Sequence, residues 1–122
     1  MAKVLGIGGI FFKSPNPKGL FDWYSKYLGM EFQEWGTAYL PNNMPENSQT
    51  VWSAFDQSTK YFDPAKKDFM FNLIVDNIEE AIEQVRNGGA QIIGEIERSD
   101  YGSFAWFMDP DGNKVELWEP KK

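Results

Sequence analysis

FMDPDGNKVELWE, residues 107–119, decides the fold, because it holds the facing ends of two strands around one turn. Pro110 sets φ for the first turn position, and Gly112 takes the left-handed one. A three-residue loop Pro110-Asp111-Gly112 places Asp109 opposite Asn113, hence Trp106 opposite Glu116 and Phe104 opposite Trp118. A two- or four-residue loop would swap the faces. On the closing strand Val115 and Leu117 are apolar and suit the covered side of a sheet, which leaves Glu116 and Trp118 on the other.

Upstream, VDNIEEAIEQVRNGGA at 75–90 reads as a helix capped by Asn77, with Glu80 in capping-box position and Ala81, Ile82 and Val85 on one face. Gly88-Gly89 stops it. Strands are expected at 69–75, 91–97, 103–108 and 113–119. The same plan stands 61 residues earlier, where Asn16 matches Asn77. There NPKGLFDWYSKYLGM at 16–30 gives a helix with Pro17 in its first turn, a stripe of Leu20, Phe21, Tyr24 and Leu28, and Gly29 as the stop. Strands are expected at 7–12, 31–35, 37–40 and 49–55. The order β-α-β-β-β thus occurs twice in one α+β domain spanning 1–122, module 1 at about 3–57 and module 2 at about 68–120. A polar linker at 56–68 joins them.

A chain of 122 residues suits one domain, and 42% hydrophobic residues give it a core. Twelve Lys+Arg against eighteen Asp+Glu leave a net charge of −6, the wrong sign for nucleic-acid backbone binding. There is no cysteine, hence no thiolate nucleophile, and no histidine, which removes the usual general base and the commonest transition-metal ligand. The apolar run 4–12 is far short of the ~20 residues a membrane helix needs. Met1-Ala2-Lys3 lacks the shape of a signal peptide, so a cytoplasmic protein is expected.

The repeated order, with residues 16–30, 75–90 and 107–119 as its clearest pieces, resembles the vicinal oxygen chelate superfamily. That group includes glyoxalase I, extradiol dioxygenases and bleomycin-resistance proteins. The resemblance implies a curved mixed sheet built from two βαβββ modules around a cavity, with helices on the outer face, and a homodimer. It also implies a divalent metal held by one side chain on each of four strands. Those positions fall on Gly9, Trp52 or Ser53, Met70 and Glu116. Glu116 alone keeps the family's ligand, since Gly has no side chain and a thioether suits hard divalent ions poorly. No metal and no cofactor are therefore expected.

Alternation sorts the remaining side chains. Phe11 joins Gly9 on the cavity side, as do Met70 and Asn72 on the strand at 69–75, while Phe71, Leu73 and Val75 pack under a helix. The expected ligand-binding residues are Glu116, Trp106, Trp118, Phe104, Trp52, Asn72, Phe11 and Met70. Such an aromatic wall with few polar atoms is the composition of a small-molecule pocket, and equally of a filled interior or an interface. Glu116 either orients a ligand or is hydrogen-bonded internally, to Asn72 or a tyrosine. Three readings follow. One is a metal-independent small-molecule binding protein for a cationic or aromatic ligand, as in the bleomycin-resistance branch. Another is a glyoxalase-like lyase or dioxygenase with a degenerate metal site. The third is a structural or interaction module with a filled cavity.

Overall fold

The computed structural model describes residues 1–3 and 5–122; Val4, which opens the apolar run, lies outside them. Helix α1 (Pro17–Leu28) begins where the Asn16 side chain accepts the Gly19 N–H at 3.1 Å and ends at Gly29, φ 68°. Helix α2 (Ile78–Asn87) begins the same way, with Asn77 accepting the Glu80 N–H at 3.1 Å. A second carboxylate supports that end: Glu119 accepts the Ile78 N–H at 2.8 Å. Both helices thus start on side-chain acceptors that satisfy otherwise orphaned N–H groups.

Four strands follow the second-half plan: β1 (Phe71–Ile74), β2 (Gln91–Ser99), β3 (Gly102–Met108) and β4 (Lys114–Pro120). They form one mixed sheet in the order β1-β4-β3-β2, with β1 parallel to β4 and the other pairs antiparallel. The turn has the three-residue loop. The Asp109 N–H donates to the Asn113 carbonyl at 2.9 Å, and Gly112 has φ 78°. Trp106 therefore faces Glu116 and Phe104 faces Trp118. At the other end of β3, Gly102 has φ 120°, and any Cβ there would collide with the Glu119 carbonyl oxygen.

The core lies between the helices and one face of this sheet. Ile78, Ala81, Ile82 and Val85 of α2, with Leu20 and Tyr24 of α1, cover Ala105, Phe107, Val115 and Leu117. Each large apolar side chain so buried contributes ~1.5–3 kcal/mol relative to exposure. The Asp109 carboxylate ties the two halves together. It accepts the Tyr24 hydroxyl at 2.9 Å, the Asn113 side-chain N–H at 2.8 Å, and the backbone N–H groups of Asp111 and Asn113, each at 2.9 Å.

The first half differs from expectation. Among the described residues, 7–12, 31–35, 37–40 and 49–55 form no strand; an isolated bridge between Gln33 and Gly36 and a 3-10 turn at Pro41–Asn43 stand in their place. The physical reason is the ladder. Strand-like composition yields a strand only where a neighbour pairs its N–H and C=O groups, and among the described residues no sheet ladder includes these segments. Their apolar side chains stay exposed, among them Leu5, Ile10, Phe11, Trp35, Val51 and Trp52. No helix among the described residues is long and apolar enough to cross a membrane.

Candidate functional site

The sheet face turned away from the helices carries the chemistry. Along β4, Val115 and Leu117 point into the core with no exposure, so alternation sends Lys114, Glu116 and Trp118 to the opposite face. The register adds Asn72 from β1 and Trp106 from β3, both directly opposite Glu116, and Phe104 opposite Trp118. Five of the residues expected at a site (Glu116, Trp106, Trp118, Phe104 and Asn72) thus share one surface.

Glu116 is the polar centre. One carboxylate oxygen, Oε1, accepts the Asn72 Nδ2–H at 2.7 Å. The other, Oε2, accepts the Trp106 Nε1–H at 2.9 Å and also the Tyr61 hydroxyl. Beside it the Phe104 and Trp118 rings lie parallel within 4°, their centroids 6.2 Å apart. Trp118 Nε1 donates to the Tyr101 carbonyl at 2.8 Å, fixing the indole at the mouth of the β2–β3 turn. Trp106 and Trp118 are each 8% exposed.

Tyr61 and Lys114 complete the face, and neither was singled out by the sequence. Tyr61 comes from the linker, where a Tyr-Phe pair inside a polar stretch was the available signal; for Lys114 it was strand parity with Glu116. The Tyr61 ring meets Trp106 edge-on at 6.3 Å and stacks with Phe55 at 5.7 Å. Lys114 Nζ donates to the Tyr61 carbonyl at 2.6 Å and sits 5.1 Å from the centre of its ring. Partial burial, then the bond to Glu116, hold the Tyr61 hydroxyl well above the usual tyrosine range, so it stays a donor. Burial pushes the Lys114 ammonium down, opposed in part by Glu116 and Asp63.

The remaining expected site residues lie elsewhere. Met70 and Phe11 line a separate cleft of about 460 Å³ with Ile10, Phe12, Lys67 and Phe69. Trp52 is 82% exposed. Another cleft, of about 380 Å³, lies between α2 and β2 near Gly94.

The metal implied by the resemblance does not fit these residues. A divalent cation needs several lone pairs converging on it, whereas the Glu116 oxygens face three hydrogen-bond donors. Gly9 offers no donor atom, and Met70 belongs to the other cleft. Among the described residues no three His, Cys, Asp or Glu side chains converge. What the face can do is accept a hydrogen bond at a carboxylate held in place by Asn72 and Trp106, beside flat aromatic surface.

Comparison with known proteins bears on the same architecture. The chain is similar to a solved member of the glyoxalase/bleomycin resistance protein/dioxygenase superfamily from Sphaerobacter thermophilus DSM 20745, at 25% identity over 98% of both chains and a TM-score of 0.52. TnmS3, an antibiotic binding protein from Streptomyces sp. CB03234, shares 15% identity over 88% of this chain and 89% of its own, with a TM-score of 0.52. A third solved chain, described as a conserved domain protein, matches 43% of this chain and 47% of its own at 13% identity and a TM-score of 0.40. No curated protein matches. The glyoxalase-like domain family matches residues 9–118, nearly the whole length over which the helices, the sheet and the Glu116 face are built, and the chain belongs to that family.

Proposed function

We propose that this chain is a metal-independent small-molecule binding protein that holds an aromatic ligand against Trp106, Trp118 and Phe104, with Glu116 as the polar anchor. The observation that carries this reading is a carboxylate fixed by two sheet side chains, Asn72 at 2.7 Å and Trp106 at 2.9 Å, on an otherwise aromatic surface. A few orienting polar atoms on an apolar wall are what small-molecule sites use. The fold shared with an antibiotic binding protein is consistent with it. The protein acts as one cytoplasmic domain over 1–122, with neither nucleic acid nor membrane as partner.

Calorimetric titration against a panel of neutral and cationic aromatics tests the reading. At least one member binds, and a chelator leaves its affinity unchanged. Glu116→Gln weakens it by about ten- to hundredfold, the scale of one charge-assisted hydrogen bond of ~1.5–3 kcal/mol. A chelator that abolishes binding would show a metal in the site. The filled-interior reading draws on a specific fact, that the chain's own donors already satisfy Glu116. It expects no panel member to bind.

A homodimer belongs to the same proposal. β1 and β2 are the edges of the sheet, and the unpaired apolar segments of the first half are strand-like sequence in want of a ladder. A second copy supplies both. Light scattering at micromolar concentration is expected to give the mass of two chains; a single-chain mass would defeat the assignment.

A further inference from the structure

We propose that Tyr61 is a built-in occupant of the Glu116 site, and that the ligand which displaces it is a neutral aromatic alcohol whose hydroxyl takes over the Tyr61 bond. This rests on the reading of the Glu116 face as a ligand site.

The first ground is where the three donors come from. Asn72 and Trp106 are sheet residues locked in register with Glu116, whereas Tyr61 reaches it from outside the sheet, across 55 residues of chain. The segment around Tyr61 is a run of short turns, with Thr59 bonded to Asp56, Asp63 to Lys60 and Ala65 to Phe62. No sheet ladder holds it. Lifting Tyr61 away therefore breaks side-chain contacts and leaves the β-sheet whole.

The second ground is layering. Tyr61 is 39% exposed, while Trp106 beneath it is 8% exposed. The phenol lies between the aromatic wall and water, in the position an incoming ring would take. Its edge-on approach to Trp106 and its stacking on Phe55 show that both surfaces accept an aromatic ring.

The third ground is chemistry. When Tyr61 leaves, Glu116 Oε2 keeps its bond from Trp106 and regains one free acceptor direction, which calls for an O–H or N–H donor. Net charge alone would suggest a cation, but Lys114 argues the other way. Its side chain is buried on the same face two residues along β4, near enough for its charge to feel Glu116, so an arriving ammonium meets one of like sign. A hydroxyl bonded to an aromatic ring supplies the donor without the charge. The bound Tyr61 phenol is itself an example of that chemistry.

An internal competitor reduces apparent affinity by the fraction of time the site stands free, so removing it tightens binding. The test titrates 2-naphthol, naphthalene and 2-naphthylmethylammonium into the wild type, Tyr61→Phe and Tyr61→Ala by calorimetry, with circular dichroism to check folding. 2-Naphthol is expected to bind Tyr61→Ala about ten- to hundredfold tighter than wild type, with Tyr61→Phe in between. It should also bind at least about tenfold tighter than either comparator, an advantage that Glu116→Gln removes. If Tyr61→Ala does not fold, Tyr61→Phe must still tighten 2-naphthol. Equal affinities across folded Tyr61 variants, or tighter binding of the ammonium than of the naphthol, overturn the proposal while leaving an aromatic site in place. Failure of all three probes to bind any variant removes the site itself, and with it the function proposed above.

Discussion

Asp109→Ala is expected to lower the unfolding free energy by about 4 kcal/mol, the scale for breaking a buried hydrogen-bond network. Asp109 is 6% exposed, and its two oxygens serve four donors. Alanine leaves the Tyr24 hydroxyl, the Asn113 amide and two backbone N–H groups without their acceptor, and each stranded donor costs ~1–3 kcal/mol unless water reaches it. The change also loosens the turn that sets the β3–β4 register. Tyr24→Phe is the calibrating variant. It removes one donor and leaves Asp109 bonded to Asn113, so it should cost only ~1–2 kcal/mol. Urea denaturation of both reads the difference, and an Asp109→Ala loss below ~1 kcal/mol would mean the network is not what joins α1 to the turn.

Trp106→Ala should be costly in two independent measurements. As a large-to-small change at an 8% exposed position it should destabilise by ~3–5 kcal/mol. It also deletes the Nε1–H that holds Glu116 Oε2 at 2.9 Å, so any aromatic ligand loses both its wall and the orientation of its anchor. Trp106→Phe separates the two effects. It keeps a ring and drops the N–H, which should cost ~1–2 kcal/mol in stability while still weakening binding about tenfold. Should Trp106→Ala unfold easily while the wild type binds no aromatic panel member, the filled-interior reading gains. Should Trp106→Phe bind as tightly as wild type, the indole N–H has no part in fixing the anchor.

The parts of this arrangement legible in the sequence are those dictated by local rules. Asp109-Pro110-Asp111-Gly112-Asn113 specifies its own turn, and a turn of known length plus strict alternation fixes which side chains share a face. That is why the sequence alone pairs Trp106 with Glu116 and Phe104 with Trp118. Asn16 and Asn77 likewise announce their helices through their own side chains. Tyr61 could not be found this way, since its place depends on a contact 55 residues distant and its segment has no period. The first-half strands failed for a related reason. Residues 49–55 read as a strand by composition, yet a strand is a relation between two segments, and composition names no partner. Phe11 and Trp52 sit on such unpaired segments, stay exposed, and do not join the partners of Glu116.

The position of β4 also has a consequence for how this protein is made. β4 lies between β1 and β3, although it follows both along the chain. While a ribosome is still translating the segment before Lys114, β1 has no strand to pair with, and β3 has β2 alone. At ~5–20 residues per second the stretch from Phe71 to Pro120 takes roughly 3–10 s to synthesise, long enough for its apolar side chains to meet other chains first. Yield in a cell should accordingly track chaperone capacity and translation speed more closely than final stability. A premature stop ahead of Lys114 would leave the β2–β3 pair and a β1 strand with no hydrogen-bonded neighbour.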